Sequence, residues 1–243
     1  VLVAELTRAL APFGLNLVGV TTAAAYDALV PAGYRFGATF GGAVVVIGNG
    51  GRRFWTVYRE HLTQHPEQAD VEHPLDAFTT YVMATVAVPV ADRLGAHPSL
   101  RMPFQPTSPP LSFVHLAEAA GLGRRGLLGV LIHPEFGPWM ALRGALLVDA
   151  APAAPRPAAG FDPCPGCRDR PCITACPGAA VSAPDGWDVP ACIDFRVASG
   201  DANPCADRCH ARVACVYGRS HCYPPDALAH HQQRAFAVMR RAR

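Results

Sequence analysis

The chain contains no lysine: all 21 of its basic residues are arginine. That absence removes a Walker-type phosphate loop, a pyridoxal Schiff base and any lysine nucleophile. Chemistry is left to a cofactor, a metal, or His, Asp, Glu, Tyr and Cys side chains. Cysteine is absent from the first 163 residues, and all nine copies follow. Charge is sparse as well. Charged residues make up 16% of the 243, and the net charge of +2 argues against a nucleic-acid partner recruited by bulk electrostatics. Arg234, Arg240, Arg241 and Arg243 read as a solvated helix end. No run reaches the roughly 18 uninterrupted apolar residues of a bilayer span. Residues 1–13 lack a charged start and a cleavage site, and the start at Val1 reads as trimmed. The expectation is a cytoplasmic protein with no membrane partner. Half of the residues are hydrophobic, enough for a globular chain with a sizeable core.

The step in cysteine content suggests two parts. Between them, residues 150–160 are rich in Pro and Ala without apolar periodicity, as in a linker. In the first part, Leu2–Leu10 reads as a helix, Leu15–Val20 as a buried strand, and Ala43–Ile47 as a second strand closed by a turn at Gly48–Gly51. That turn lacks the G-x-G-x-x-G spacing of a dinucleotide site. Phe54–His61 and Leu75–Leu94 read as helices, and Leu111–Ala120 as another, capped by Gly121-Leu122-Gly123. Leu127–His133 and Trp139–Val148 read as strands paired in a hairpin about Pro134–Pro138. Mixed elements over 150 residues imply an α/β or α+β sandwich. Beyond the linker regular structure thins out, with a last helix over about Asp226–Arg241. The expected domains are 1–150, 160–225 and a helical tail, 226–243.

The cysteines carry the strongest signal. Cys164-x2-Cys167-x4-Cys172-x3-Cys176-Pro177 approaches the bacterial ferredoxin run C-x2-C-x2-C-x3-C-P, in which the fourth cysteine binds the other cluster. The middle gap is two residues longer here. Cys192, Cys205, Cys209, Cys215 and Cys222 follow. An interleaved scheme gives one 4Fe–4S cluster Cys164, Cys167, Cys172 and Cys215, and the other Cys176, Cys192, Cys205 and Cys209. Cys222 is left over and reads as a free thiol. Three rival readings stay open: structural zinc, for which only one C-x2-C pair exists; disulfides, which suit a secreted protein; and a single cluster with the other cysteines structural.

Ala119-Ala120-Gly121-Leu122-Gly123, then His133-Pro134-Glu135-Phe136-Gly137-Pro138-Trp139, then the cysteine run, resembles the layout of epoxyqueuosine reductases. That resemblance implies a cobalamin-dependent enzyme with two 4Fe–4S clusters on a nitroreductase-like core, hence an α+β fold with a C-terminal ferredoxin-like module. The stretch Ile132-His133-Pro134-Glu135-Phe136-Gly137-Pro138-Trp139, followed by Arg143-Gly144, is similar to the cobalamin-processing decyanase and dealkylase family, which has the same core without clusters. Gly218-Arg219-Ser220-His221-Cys222-Tyr223 resembles a G-x-x-H-x-Y ending found in a further group of ferredoxin-like proteins.

These resemblances imply cobalamin contacts from Gly121, Gly123, His133, Phe136, Gly137, Trp139 and Arg143. Gly126 and Gly129 are further places where backbone could approach a flat ring. Each has a plainer reading: the glycines as caps and turns, His133 as a hydrogen-bonded structural residue, Trp139 as core. Flavin is an alternative cofactor, because the core fold also hosts flavins. The implied function is electron transfer from the clusters to a corrinoid, either to process the cofactor or to reduce a small substrate. The donor would be a flavodoxin or ferredoxin reductase, and a homodimer is in keeping with flavin-binding relatives. The rival class is a non-catalytic electron carrier or cobalamin chaperone. Epoxyqueuosine reduction on tRNA is disfavoured, because the catalytic aspartate of that family precedes the A-G-L-G turn by some ten residues. Here no acid occurs between His97 and Glu118.

Overall fold

The computed structural model describes residues 1–149 and 160–241. The stretch read as a linker, 150–160, lies outside them except for Gly160. Helices and strands are mixed along the chain, as α+β predicts. Contacts divide the chain into two discontinuous units, Val1–Gly123 with Met140–Gly160, and Arg124–Trp139 with Phe161–Arg243.

The first unit is built on a four-stranded antiparallel sheet in the order Leu17–Thr22, Ala43–Gly50, Met140–Val148, Ser99–Arg101. Ala43–Gly50 is buried at every residue, which is why it reads as an unbroken apolar run and not as an alternation. Leu17–Thr22 alternates buried and half-buried residues, as an edge strand with one covered face does. Leu6 and Leu10 of the first helix, and Phe54, Trp55 and Tyr58 of Arg53–Gln64, complete the core.

Three expectations are corrected here. The strand runs through the proposed Gly48–Gly51 turn as far as Gly50, with a bulge between Ile47 and Gly48. Asn16 holds its end, donating from Nδ2 to Gly50 O (3.1 Å) and accepting from Gly50 N at Oδ1 (2.7 Å). The long helix, expected as continuous, is Pro74–Val82 and Val88–Arg93 with a π-turn, Met83–Ala87, between them. Pro89 has no N–H for the carbonyl one turn back, and the wider turn accommodates its ring. Pro74–Arg93 is long and apolar enough by length and composition to cross a membrane, but half of it is buried in the unit. Finally, Met140–Val148 does not pair with Leu127–His133: Ala43–Gly50 fills one of its edges, Ser99–Arg101 pairs with Ala145–Leu147 on the other, and Leu131–Ile132 pairs instead with Arg124–Arg125.

The second unit has little sheet: Arg124–Arg125 pairs with Leu131–Ile132, and Val181–Ser182 with Gly186–Trp187. Its helices are Pro163–Gly166, Pro171–Thr174, Val189–Ala198, His210–Val213 and Pro225–Arg241. Val189–Ala198 is the longest of the elements not expected. Its signal was present, since Asp188 caps it by accepting from Ala191 N (2.9 Å) and Pro190 occupies its first turn. The apolar centre is small, with Leu128, Val181 and Ala211 buried and Cys172, Cys176, Cys209 and Cys215 packed at its margin.

Residues 124–139, expected with the N-terminal domain, group with the cysteine-bearing unit because its side chains grip the segment. Arg212 donates from Nε to Pro138 O (3.1 Å) and lies over the rings of Trp139 (5.0 Å) and Tyr223 (5.3 Å).

Candidate metal centres and the loop beside them

Eight of the nine cysteines line two cavities, both inside the second unit. Cys176, Cys192, Cys205 and Cys209 line one of about 170 Å³, and Cys164, Cys167, Cys172 and Cys215 line a smaller one. Cys222 lines neither. No disulfide joins any of the nine.

Local structure explains the placement. The helix starting at Pro171 presents Cys172, entered through Arg170 at φ 39°. Gly178, two residues beyond Cys176, sits against Phe195, whose ring atoms would stand 2.7–2.9 Å from an added Cβ. This contact brings the Cys176-Pro177-Gly178 turn against the helix that carries Cys192. At the smaller cavity, Leu127 donates its backbone N–H to Cys164 Sγ (3.3 Å), and a Cβ on Gly126 would meet the same sulfur at 3.3 Å.

Burial pushes the thiols of Cys172, Cys205, Cys209 and Cys215 above the ordinary cysteine range. Neighbouring thiols add to the rise: Cys215, Cys164 and Cys167 at Cys172, and Cys209, Cys192 and Cys176 at Cys205, where Arg196 opposes it. Ionised together, four such thiols would need positive charge among them, of the kind a metal ion or cluster would supply. Among the described residues, no group of three or more His, Cys, Asp or Glu is placed to hold a single metal ion. A cubane spreads its four ligands over four corners, whereas one zinc would draw them to about 2.3 Å from a point.

Two buried donors near the larger cavity lack acceptors among the described residues: Arg196 Nε, of a residue that lines it, and Asn203 Nδ2, whose Oδ1 accepts from Cys205 N (2.9 Å). Cluster sulfurs are acceptors of the kind such donors need, so the residues present fit a cluster here. The sequence reading missed both, because neither belongs to a cysteine motif.

The residues implied as cobalamin contacts fall in both units. In the first, Gly121 ends the Phe113–Ala119 helix at φ 73° in a Schellman motif, with Gly121 N bonded to Glu118 O (3.1 Å) and Leu122 N to Ala117 O (2.9 Å). Gly123 follows it. Arg143 is buried, donating from Nε to Asn49 Oδ1 (2.7 Å) with its guanidinium over Phe54 (4.3 Å).

In the second unit His133, Phe136, Gly137 and Trp139 share one tight loop. His133 and Gly137 exchange backbone hydrogen bonds (2.9 and 2.8 Å), and His133 Nδ1 accepts from Glu135 N (3.1 Å) and Phe136 N (3.2 Å). Each defined position of the G-x-x-H-x-Y ending touches this loop. Gly218 abuts Phe136, His221 packs edge-on to Phe136 (4.8 Å), and Tyr223 edge-on to Trp139 (5.6 Å). Trp139 Nε1 and Tyr223 Oη are buried with no hydrogen-bond partner among the described residues.

Burial holds the pKa of His133 below the ordinary histidine value; Glu135 works against this and His221 with it. Protonating Nδ1 would also break the two bonds it accepts. A folded-state pKa below the unfolded one gives a contribution to stability that is full above about pH 6.5. It is lost as pH falls through the lower folded value. The chemical-denaturation midpoint of the native chain should therefore drop between pH 7.5 and 5.5 by more than that of His133→Gln. Equal drops would refute it.

Among known proteins, no family model matches the chain. It is 41% identical over 99 residues to an epoxyqueuosine reductase from Synechococcus sp. (strain RCC307), a match covering 41% of this chain and only 30% of that protein. Among solved structures, a C. elegans B12-trafficking protein, CblC, superposes with a TM-score of 0.54 at 14% identity, over 98% of this chain and 94% of that one. An epoxyqueuosine reductase bound to a tRNA-Tyr stem loop gives 0.50 at 16% identity, over 93% and 68%. A catabolic reductive dehalogenase, NpRdhA, gives 0.50 at 18% identity, over 93% and 33%. The chain therefore resembles epoxyqueuosine reductases in part of its sequence and shares a fold with these three structures.

Proposed function

We propose that this chain is an iron–sulfur oxidoreductase that serves a corrinoid. Cys164, Cys167, Cys172 and Cys215 would hold one 4Fe–4S cluster, and Cys176, Cys192, Cys205 and Cys209 the other. The observation that carries this is the pair of cavities, each lined by four cysteines drawn from distant parts of the sequence. Bound clusters would supply one-electron transfer, and the chain's part is to bury them and direct N–H groups at their sulfurs. The corrinoid half rests on the resemblance of the His133–Trp139 loop and on fold likeness to a B12-trafficking protein. On this reading the α+β fold is a nitroreductase-like core with a ferredoxin-like module. In the loop, His133 Nδ1 is committed to the backbone, which leaves Nε2 as the polar atom it can offer a ligand.

The second reading, a cobalamin chaperone or plain electron carrier, is favoured by the likeness to the trafficking protein along nearly the whole of both chains. Epoxide reduction on tRNA remains disfavoured by the acid-free stretch between His97 and Glu118.

One experiment separates these outcomes: anaerobic purification with iron and sulfide analysis and EPR, then titration with cobalamin. The expected result is both clusters present and a saturable change in the corrin absorption spectrum, followed by cobalt reduction when a low-potential donor is added. Corrin binding without reduction supports the chaperone. Reducible clusters with an unchanged corrin spectrum support the carrier and sink the corrinoid proposal.

A further inference from the structure

Arg196 is 3% exposed, on the helix Val189–Ala198, and its side chain lines the cavity of Cys176, Cys192, Cys205 and Cys209. An arginine stays charged in any protein interior, and burying a cation is costly unless an anion compensates it. Among the described residues, none of the groups that hold this one is an anion. Its guanidinium donates to Gln232 O (3.0 Å) and Met239 Sδ (3.6 Å) and lies 5.0 Å from the Phe236 ring, all on the helix Pro225–Arg241. Its Nε–H has no acceptor among the described residues. The molecule therefore contains a buried positive charge with a spare donor at the wall of a four-thiol cavity, clamped there by the terminal helix.

We infer that Arg196 is a positioning residue that raises the reduction potential of the cluster held by Cys176, Cys192, Cys205 and Cys209. This rests on the cluster reading above. A 4Fe–4S core with four thiolates is a net anion, and accepting one electron from a donor makes it more negative by one charge. A fixed cation and an N–H beside the sulfurs favour the reduced form by Coulomb attraction in a weakly screened interior. The terminal helix gains a role in electron transfer by holding the guanidinium in place.

The test is an EPR-monitored redox titration of reconstituted full-length protein, with iron and sulfide measured on every sample. The Cys172→Ala background leaves one quartet complete, so the signal is assigned. In it, Arg196→Met should lower the reduced-to-oxidised ratio at a fixed potential by about tenfold, equivalent to about 59 mV for one electron. Arg196→Lys, which keeps the charge, should recover most of that change. Arg196→Gln keeps a donor without the charge, and serves where Met prevents cluster assembly; it too should lower the ratio. In a Cys209→Ala background, where only the other quartet is complete, Arg196→Gln should leave the potential unchanged. A purely structural role would alter iron content or stability with no such split. Clusters that assemble with unshifted potentials in the neutral variants overturn this inference alone. Absence of clusters from the native chain overturns the cluster reading and this inference with it.

Discussion

Replacing Cys209 with serine is expected to halve the iron and acid-labile sulfide bound after anaerobic reconstitution, from about eight iron atoms per chain to about four. Cys172→Ser should do the same while leaving a spectroscopically different cluster behind, because the two cysteines line different cavities. Cys222→Ser should leave the iron content unchanged, since Cys222 lines neither. The pattern separates the remaining readings. A single cluster would lose everything with one of the two variants and nothing with the other. Zinc would appear as a metal without sulfide. Retention of full iron and sulfide by both Cys172→Ser and Cys209→Ser would refute the assignment.

The second large effect concerns backbone. Gly137 and Gly218 lie at φ 56° and 62° and press against each other's segments. A Cβ on Gly218 would stand 2.2 Å from both C and O of Phe136, and one on Gly137 would stand 2.2 Å from Tyr217 O. Neither obstacle is a flexible side-chain end, and neither φ suits an L side chain. Gly218→Ala should therefore destabilise the cysteine-bearing unit by roughly 3 kcal/mol or more. It should also reduce iron incorporation at the Cys164 quartet, because Cys215 lies three residues away in sequence. Gly33→Ala is the control: nothing lies within 4 Å of an added Cβ there, and its effect should stay within about 0.5 kcal/mol. Chemical denaturation followed alongside iron content reads both. A native-like midpoint in Gly218→Ala would show that the loop and the cysteine segment do not depend on their close approach.

The G-x-x-H-x-Y ending gains a physical meaning from the same contacts. Its glycine permits the approach, its histidine packs edge-on to Phe136 and its tyrosine edge-on to Trp139. A motif that looked like an appendix to the cysteines is the partner of the His133–Trp139 loop. Arg212 strengthens the pairing by holding Pro138 O and covering both Trp139 and Tyr223.

Local pattern was enough for much of the fold. The first helix, the buried strand at Ala43, the helix before Gly121 and the terminal helix were legible, because periodicity, caps and prolines act over a few residues. The Leu127–His133 hairpin was not legible because strand pairing is decided by which edges meet, and Met140–Val148 pairs instead with Ala43–Gly50 and Ser99–Arg101, both remote in sequence. The neighbours of Arg143 were illegible for a related reason: Asn49 and Phe54, which engage it, lie about ninety residues earlier in the chain.

By itself the sequence determined that this chemistry uses no lysine and that its cysteines are confined to the last third of the chain. The sequence offered a division of eight of them into two fours without deciding it, because Cys215 lies more than forty residues beyond Cys164, Cys167 and Cys172 and no local spacing ties it to them. Only the tertiary structure decided that the His133–Trp139 loop folds with the cysteines. It alone placed a buried Arg196 beside one quartet, since close approach and burial arise between residues that no sequence window contains.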